Sequence, residues 1–224
     1  MARLSNTFIE RDHAVARIIC EALINADTQS MKEVHLVDKK DDLLELIGGA
    51  FIQKNSQIPP NGVLDVVRLD HDMVHQVIEK RLKRRQREVL VYNGVEIFIK
   101  CDDITKMNAD AIVCPNDEKL SCSIGLAKTI SDLTGKVYKK RCRKEAKSQR
   151  LKPSDVVSID TEHYGLIINV VVPRFGTSFQ KDKKVHKQNY EDALRMSFQN
   201  AIDEATTNDV RVLAMYPLGG GKSG

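Results

Sequence analysis

Nowhere does this chain carry the roughly eighteen consecutive apolar residues that a membrane-crossing helix needs. Its first residues also lack the charged-then-apolar layout of a secretory signal. Both absences lead to the expectation of an intracellular protein, cytoplasmic, nuclear or both, with no membrane partner. Paired cysteines are missing too. Five cysteines stand at 20, 101, 114, 122 and 142, an odd number with no two-residue spacing. That pattern excludes a disulfide framework and leaves reduced, buried thiols as the expected state. A strong excess of charge of one sign is likewise absent: the formal net charge is +4, so composition lends no support to nucleic-acid binding. Internal repeats and low-complexity tracts are absent. His71 and His75 stand four apart in a predicted helix, as zinc ligands often do, but Asp72 rather than a glutamate follows the first and no third ligand lies near. No metal site and no cofactor are expected.

What is present is ordinary globular material. The 224 residues are 42% hydrophobic and 29% charged, enough to bury a core and enough for one large domain or one and a half average ones. Helical periodicity runs from Asn6 to Asp27 through Val15, Ile18, Ile19, Ala22 and Leu23. A short strand follows at Glu33 to Val37 and a second helix at Asp41 to Lys54. Pro59-Pro60 and Asn61-Gly62 then mark a boundary. Beyond it Val63 to Leu69 reads as a strand, and Asp70 caps a helix from His71 to Glu88. The end of that helix is strongly basic, with Lys80, Arg81, Lys83, Arg84, Arg85 and Arg87. A solvated helix end is one reading, and an anionic partner such as RNA or poly(ADP-ribose) is the other.

The chain is organised around Val95 to Ala127. Val95 to Lys100 reads as a strand and ends in Cys101-Asp102-Asp103-Ile104-Thr105. An apolar run from Ala109 to Val113 reads as a second, buried strand and leads into Cys114-Pro115-Asn116-Asp117. A helix then opens near Ile124-Gly125-Leu126-Ala127 and continues through Lys128 to Lys147, until Pro153. Strands are predicted at Val156–Ile159 and Leu166–Val172, a polar connection at Lys181 to Lys187, a helix at Tyr190 to Ala205, and a last strand at Val212 to Leu218. The alternation predicts an α/β protein, a mixed central sheet with helices on both faces. Carboxylates and amides sit where strands end and a helix starts, the place where such sheets bind ligands and where free backbone N–H groups favour anions.

These motifs, in this order, resemble the macrodomain family. Asp103-Ile104-Thr105 is similar to the family's aspartate-isoleucine-threonine turn. Asp110-Ala111-Ile112-Val113-Cys114-Pro115-Asn116-Asp117 is similar to its strand that ends in asparagine. Ile124-Gly125-Leu126-Ala127 is similar to its glycine loop and helix start, and Gly219-Gly220-Gly221-Lys222-Ser223-Gly224 to its second phosphate loop. The resemblance spans roughly Glu88 to Gly224 and implies a three-layer α/β/α fold that binds ADP-ribose, with ADP-ribosylated proteins as partners. It implies adenine contact by Asp103 and Ile104, with Asp102 the weaker candidate. Distal-ribose contact falls to Asp117 or its neighbour Asn116. The diphosphate falls to Ile124, Gly125, Leu126, Gly219, Gly220, Gly221, Lys222 and Ser223. Cys101, Cys114, Asp117 and Ile124 depart from the family pattern. Ionised Asp117 only accepts hydrogen bonds where the family's asparagine also donates. The glycine tail also resembles a P-loop, but Tyr216 stands where that motif has glycine.

No acidic residue and no histidine lies between Leu120 and Ile130. The resemblance therefore implies a binding module rather than an ADP-ribosyl hydrolase and names no catalytic residue; a degenerate scaffold is the third alternative. The loops are most similar to tandem macrodomains of large animal mono-ADP-ribosyltransferases, without their transferase domain. Residues 1–54 resemble the C-terminal part of a macrodomain, residues 55–87 read as a linker with the basic helix, and residues 88–224 as a domain cut short at its C-terminal end. The chain then reads as a fragment of a tandem array. Residues 1–54 belong either to a preceding domain or to the sheet of residues 88–224 itself.

Overall fold

A computed structural model describes residues 2–26, 30–39, 41–55, 88–92, 94–174 and 183–219. The elements in chain order are α1 (Ala2–Asn25), β1 (Glu33–Asp38), α2 (Asp41–Asn55), β2 (Glu88–Tyr92), β3 (Val95–Cys101), a 3-10 turn (Ile104–Lys106) and β4 (Ala111–Asn116). They continue with α3 (Gly125–Thr134), α4 (Lys136–Ser148), β5 (Val156–Thr161), β6 (Gly165–Val171), α5 (Lys183–Thr207) and β7 (Val212–Met215).

One seven-stranded sheet runs in the order β2-β3-β1-β7-β4-β6-β5. The five inner strands are mutually parallel, and the two edge strands β2 and β5 are antiparallel to their neighbours. Side chains alternate across each strand, so every buried strand feeds two cores. Val34, Leu36, Ile97, Ala111, Val113, Ile168, Val170, Leu213 and Met215 face one side, where Val15, Ile18 and Ile19 of α1, Leu43, Leu44 and Ile47 of α2, and Leu194, Phe198 and Ile202 of α5 cover them. Val37, Ile112, Cys114, Ile167, Val171 and Ala214 face the other side, covered by Ala127 and Ile130 of α3 and Tyr138 and Cys142 of α4. The expected mixed sheet between helical layers is therefore the observed one.

Residues 1–54 contribute to this same sheet. β1 lies between β3 and β7, with Val34 opposite Ile97 on one side and Leu213 on the other. Without it the β2–β3 pair would have no neighbour.

Several local expectations are corrected. The helix expected to run from Lys128 to Lys147 is two helices, α3 and α4, hinged at Gly135 with φ 81° and ψ −161°. β2 is an addition to the expected strands: Glu88 to Tyr92 pairs with β3, Tyr92 opposite Val95. The Asn93-Gly94 dipeptide between two β-branched runs is the usual hairpin signal and marks this pairing in the sequence. β4 continues past Val113 to Asn116. Beyond Val113 it pairs with β6 only, and Pro115 sits where the strand has one open side. Residues 183–187, expected as a polar connection, already belong to α5. β7 ends at Met215 rather than Leu218. The strand expected at 63–69 and the basic helix with its anionic-partner reading lie outside the described residues. Among the described residues no helix is long and apolar enough to cross a membrane.

Candidate functional site

Because the inner strands are parallel, their carboxyl ends open at one edge of the sheet: Cys101 of β3, Asp38 of β1, Met215 of β7, Asn116 of β4 and Val171 of β6. The three stretches singled out in the sequence are the continuations of three of these strands. The topology therefore gathers Asp102–Thr105, Asn116–Leu126 and Tyr216–Gly219 at one end.

After β3, Asp102 Oδ1 accepts from the Asp103 backbone N–H at 2.7 Å. Asp103 caps the 3-10 turn: its Oδ1 accepts from the Thr105 backbone N–H at 3.1 Å and from the Thr105 hydroxyl at 2.7 Å. Its Oδ2 lies 3.2 Å from Lys39 Nζ. The Thr105 hydroxyl, against a small burial penalty, together with Lys39 holds the Asp103 carboxyl below its ordinary value. Ile104 is buried beneath the turn. The carboxylate is thus a turn cap first, and its Oδ2, held by a largely exposed lysine, faces the strand-end edge. An ion pair of this kind contributes little by itself.

After β4 the chain folds into a loop that Asp117 organises. Its Oδ1 accepts from the backbone N–H groups of Lys119 and Ser121, both at 3.0 Å, and its Oδ2 from the Ser121 hydroxyl. Burial opposes ionisation here, but the Ser121 and Lys119 hydrogen bonds and the charge of Arg174 outweigh it and lower the pKa. Leu120 and Cys122 have positive φ, 44° and 50°, and both bury their side chains. That alternation lets the loop drop two anchors into the core while Ser121, Ser123 and Ile124 stay outside.

Beneath the loop lies a buried polar network. Asn116 Nδ2 donates to Asn169 Oδ1 at 3.2 Å, and Asn116 Oδ1 accepts from the Asp117 N–H at 3.1 Å. Tyr138 Oη donates to the same Asn169 oxygen at 2.6 Å, and Asn169 Nδ2 donates to the Val157 carbonyl at 3.2 Å. The Cys122 and Cys142 sulfurs are 3.8 Å apart. Cys142, against the effect of burial and with help from the Asn116 amide, pulls the Cys122 thiol below its ordinary value. Cys142 is itself pushed up. Sequence reasoning missed Tyr138, Asn169 and Cys142 as supports of the site. The signal was Asn169, a lone amide inside the otherwise apolar run Leu166–Val172, which must find partners when buried.

The loop delivers α3. Ile124 is its N-cap residue, 65% exposed and without a capping side chain. A Cβ at Gly125 would meet nothing within 4 Å, but its φ of 56° is left-handed backbone that favours glycine. The first N–H groups of a helix have no intrahelical acceptor and carry the positive end of its dipole. The first turn of α3 therefore offers Gly125, Leu126 and Ala127 N–H groups without a side-chain competitor. At the neighbouring strand end, Gly219 has φ 86°, and a Cβ there would lie 2.7 Å from Tyr190 Oη and 3.1 Å from Leu194. Only glycine fits that contact in that conformation. Gly220, Gly221, Lys222 and Ser223 lie outside the described residues.

The arrangement places one carboxylate-bearing turn, one uncapped helix start and one glycine turn on a common edge, floored by satisfied amides. Among the described residues no group of three or more His, Cys, Asp or Glu side chains is placed to hold a metal ion.

A comparison with family models matches the Macro domain over residues 113–224, half of the chain. Curated protein sequences give no match. Similar solved structures include the macro domain of ganglioside induced differentiation associated protein 2, 19% identical over 51% of this chain and 53% of that chain, with a TM-score of 0.43. They also include the Oceanobacillus iheyensis macrodomain with ADP, 18% identical over 58% of this chain and 87% of that chain, with a TM-score of 0.42. A point mutant of the same macrodomain with ADPR is 17% identical over 58% and 89%, with a TM-score of 0.42. The chain thus spans about half the length of the first of these, and the family model carries the assignment. On that match, this chain belongs to the macrodomain family.

Proposed function

We propose that this chain is a binding module for ADP-ribose, free or carried as a single unit on a modified protein. The observation that carries the reading is the uncapped start of α3 at Gly125, set beside the Gly219 turn at the carboxyl edge of a parallel sheet in a chain of this family. A diphosphate matches such a site because its negative charge is spread over oxygens that accept from backbone N–H groups. In this reading Gly125 and Leu126 hold one phosphate from the helix side and the Gly219 turn approaches from the other. Asp103 and Ile104 receive the adenine. The distal ribose lies over Asn116 and Asp117, with Ile124 against the phosphates.

Reading rather than cleaving is favoured by the loop's chemistry. The first turn of α3 offers Leu126 and Ala127, neither of which can move a proton, and Asp117 is tied by three hydrogen bonds to its own loop. General acid or base catalysis needs a group within reach of the reacting atoms and free to change protonation state. ADP-ribosylated proteins are the partners in this reading, and the cytoplasm and nucleus are where they would be met.

The test is to incubate the chain with proteins mono-ADP-ribosylated on Glu, Asp or Ser. Retention on an affinity matrix bearing the chain, with the modification intact, supports a reader. Release of ADP-ribose that is lost in Asp117→Ala reinstates the hydrolase.

A further inference from the structure

The charge on this molecule is not spread evenly. Between Lys136 and Lys152 stand nine lysines and arginines against the single carboxylate of Glu145, so the rest of a chain of net charge +4 is net negative. Composition alone conceals this excess.

The fold puts it on one surface. α4 buries Tyr138 and Cys142 against the sheet, beside β5. With about 100° between residues, Lys136, Lys140, Arg143 and Lys147 fall in one row, spaced four, three and four apart, over about 16 Å of helix. Lys139 lies on one flank of that row, Lys144 and Arg141 on the other. All except the half-buried Lys139 are exposed. Lys139 pairs with Asp132 at 3.4 Å, and Arg141 donates to the Asp160 carbonyl at 2.7 Å. Lys136, Lys140, Arg143, Lys144 and Lys147 make no ion pair among the described residues. Arg150 and Lys152 extend the surface past the helix end.

We propose that the outer face of α4 docks on the phosphates of duplex DNA, independently of the ADP-ribose reading. The five cations with no ion pair span about 100° of this helix, and Lys139 and Arg141, when they exchange their contacts with Asp132 and the Asp160 carbonyl for phosphates, widen the arc to about 200°. Such an arc suits a helix seated between two rows of phosphates. The B-DNA major groove, about 12 Å wide, admits an α-helix 10–12 Å across. The A-form RNA major groove is too deep and narrow for side chains to read. A single strand would need exposed aromatic rings to stack its bases, and the helix's one aromatic, Tyr138, is buried. A lipid surface would need a continuous exposed apolar face, and this helix turns Tyr138 and Cys142 into the core and leaves only Val137 exposed among its large apolar residues. The docking is to the nucleic-acid backbone, so binding tolerates sequence and depends steeply on salt.

Fluorescence anisotropy of a labelled duplex of about 20 base pairs, titrated with the full chain across roughly 50–200 mM salt, tests this. The expected result is binding whose log affinity falls linearly with log salt. The exposed variant Lys136→Gln/Lys140→Gln/Arg143→Gln/Lys147→Gln, with an unchanged thermal midpoint, should bind at least tenfold more weakly, with a slope shallower by roughly one for each phosphate it no longer neutralises. Lys136→Arg/Lys140→Arg/Lys147→Arg should bind like the parent. No binding by the parent at the lowest salt, undiminished binding by the Gln variant, or equal affinity for a single strand, an RNA duplex, an ADP-ribose polymer or polyglutamate would each overturn the proposal.

Discussion

Asp103 and Asp117 are both tied into their own turns, and that decides what their substitution does. Removing Asp103 takes away a proposed charge-assisted hydrogen bond, which contributes about 1.5–3 kcal/mol. Asp103→Ala should therefore weaken ADP-ribose binding by about ten- to a hundredfold in a titration. It should also lower the thermal midpoint, because the Thr105 N–H and hydroxyl lose their acceptor. Asp103→Asn keeps the capping oxygen and should restore the midpoint without restoring affinity; unchanged affinity in both variants would remove Asp103 from the site. The two carboxyls also make stability depend on acid. Their folded pKa values lie below the unfolded value, so the unfolded chain binds more protons as pH falls below about 5. The stability they contribute is fully present above the unfolded carboxyl range and is lost as pH drops through the lower, folded values. Denaturant midpoints measured from pH 6 to pH 3 should fall more steeply in the parent than in Asp117→Asn. The Asp103 cap is legible in the sequence because its partner stands two residues away. Asp117's role is not, because Ser121 reaches it only once Leu120 takes a positive φ.

At the scale of elements, the hinge between α3 and α4 is the feature that spacing conceals. Ile130, Leu133 and Val137 keep helical spacing across Gly135, and that spacing predicts a single helix. In the structure Leu133 and Val137 are 51% and 70% exposed, while Tyr138 and Cys142 turn inward. The chain changes direction at Gly135, in a backbone region that is essentially reserved for glycine. Gly135→Ala should cost about 1–3 kcal/mol, read as a lower denaturant midpoint at unchanged slope, and a neutral result would show that the hinge carries no such strain. Apolar alternation makes most strands legible. β2 escapes because the basic run before it extends a helical pattern into Glu88.

At the scale of the whole molecule, the sheet is continuous only because β1 joins β3 to β7. The same segment supplies Val15, Ile18, Ile19 and Ile47 to the core that also holds Phe198 and Leu213. Removing residues 1–54 should therefore abolish cooperative unfolding of the remainder and its ADP-ribose binding together; a remainder that unfolds cooperatively and binds would contradict the role given to β1. The layered fold and the strand-end location of the site are readable from motif order. The insertion of β1 is one of two readings that the sequence leaves open, since a pairing between segments about sixty residues apart leaves no local trace to decide between them. The central claim is that the edge formed by Asp103, Gly125 and Gly219 receives ADP-ribose. Isothermal titration calorimetry of the full chain with ADP-ribose, beside the same titration of Gly125→Val, tests it most directly. Saturable binding at one site in the parent and its loss in the valine variant, with the fold intact by circular dichroism, is the predicted result; no heat of binding in the parent, or equal affinity in both, would contradict it.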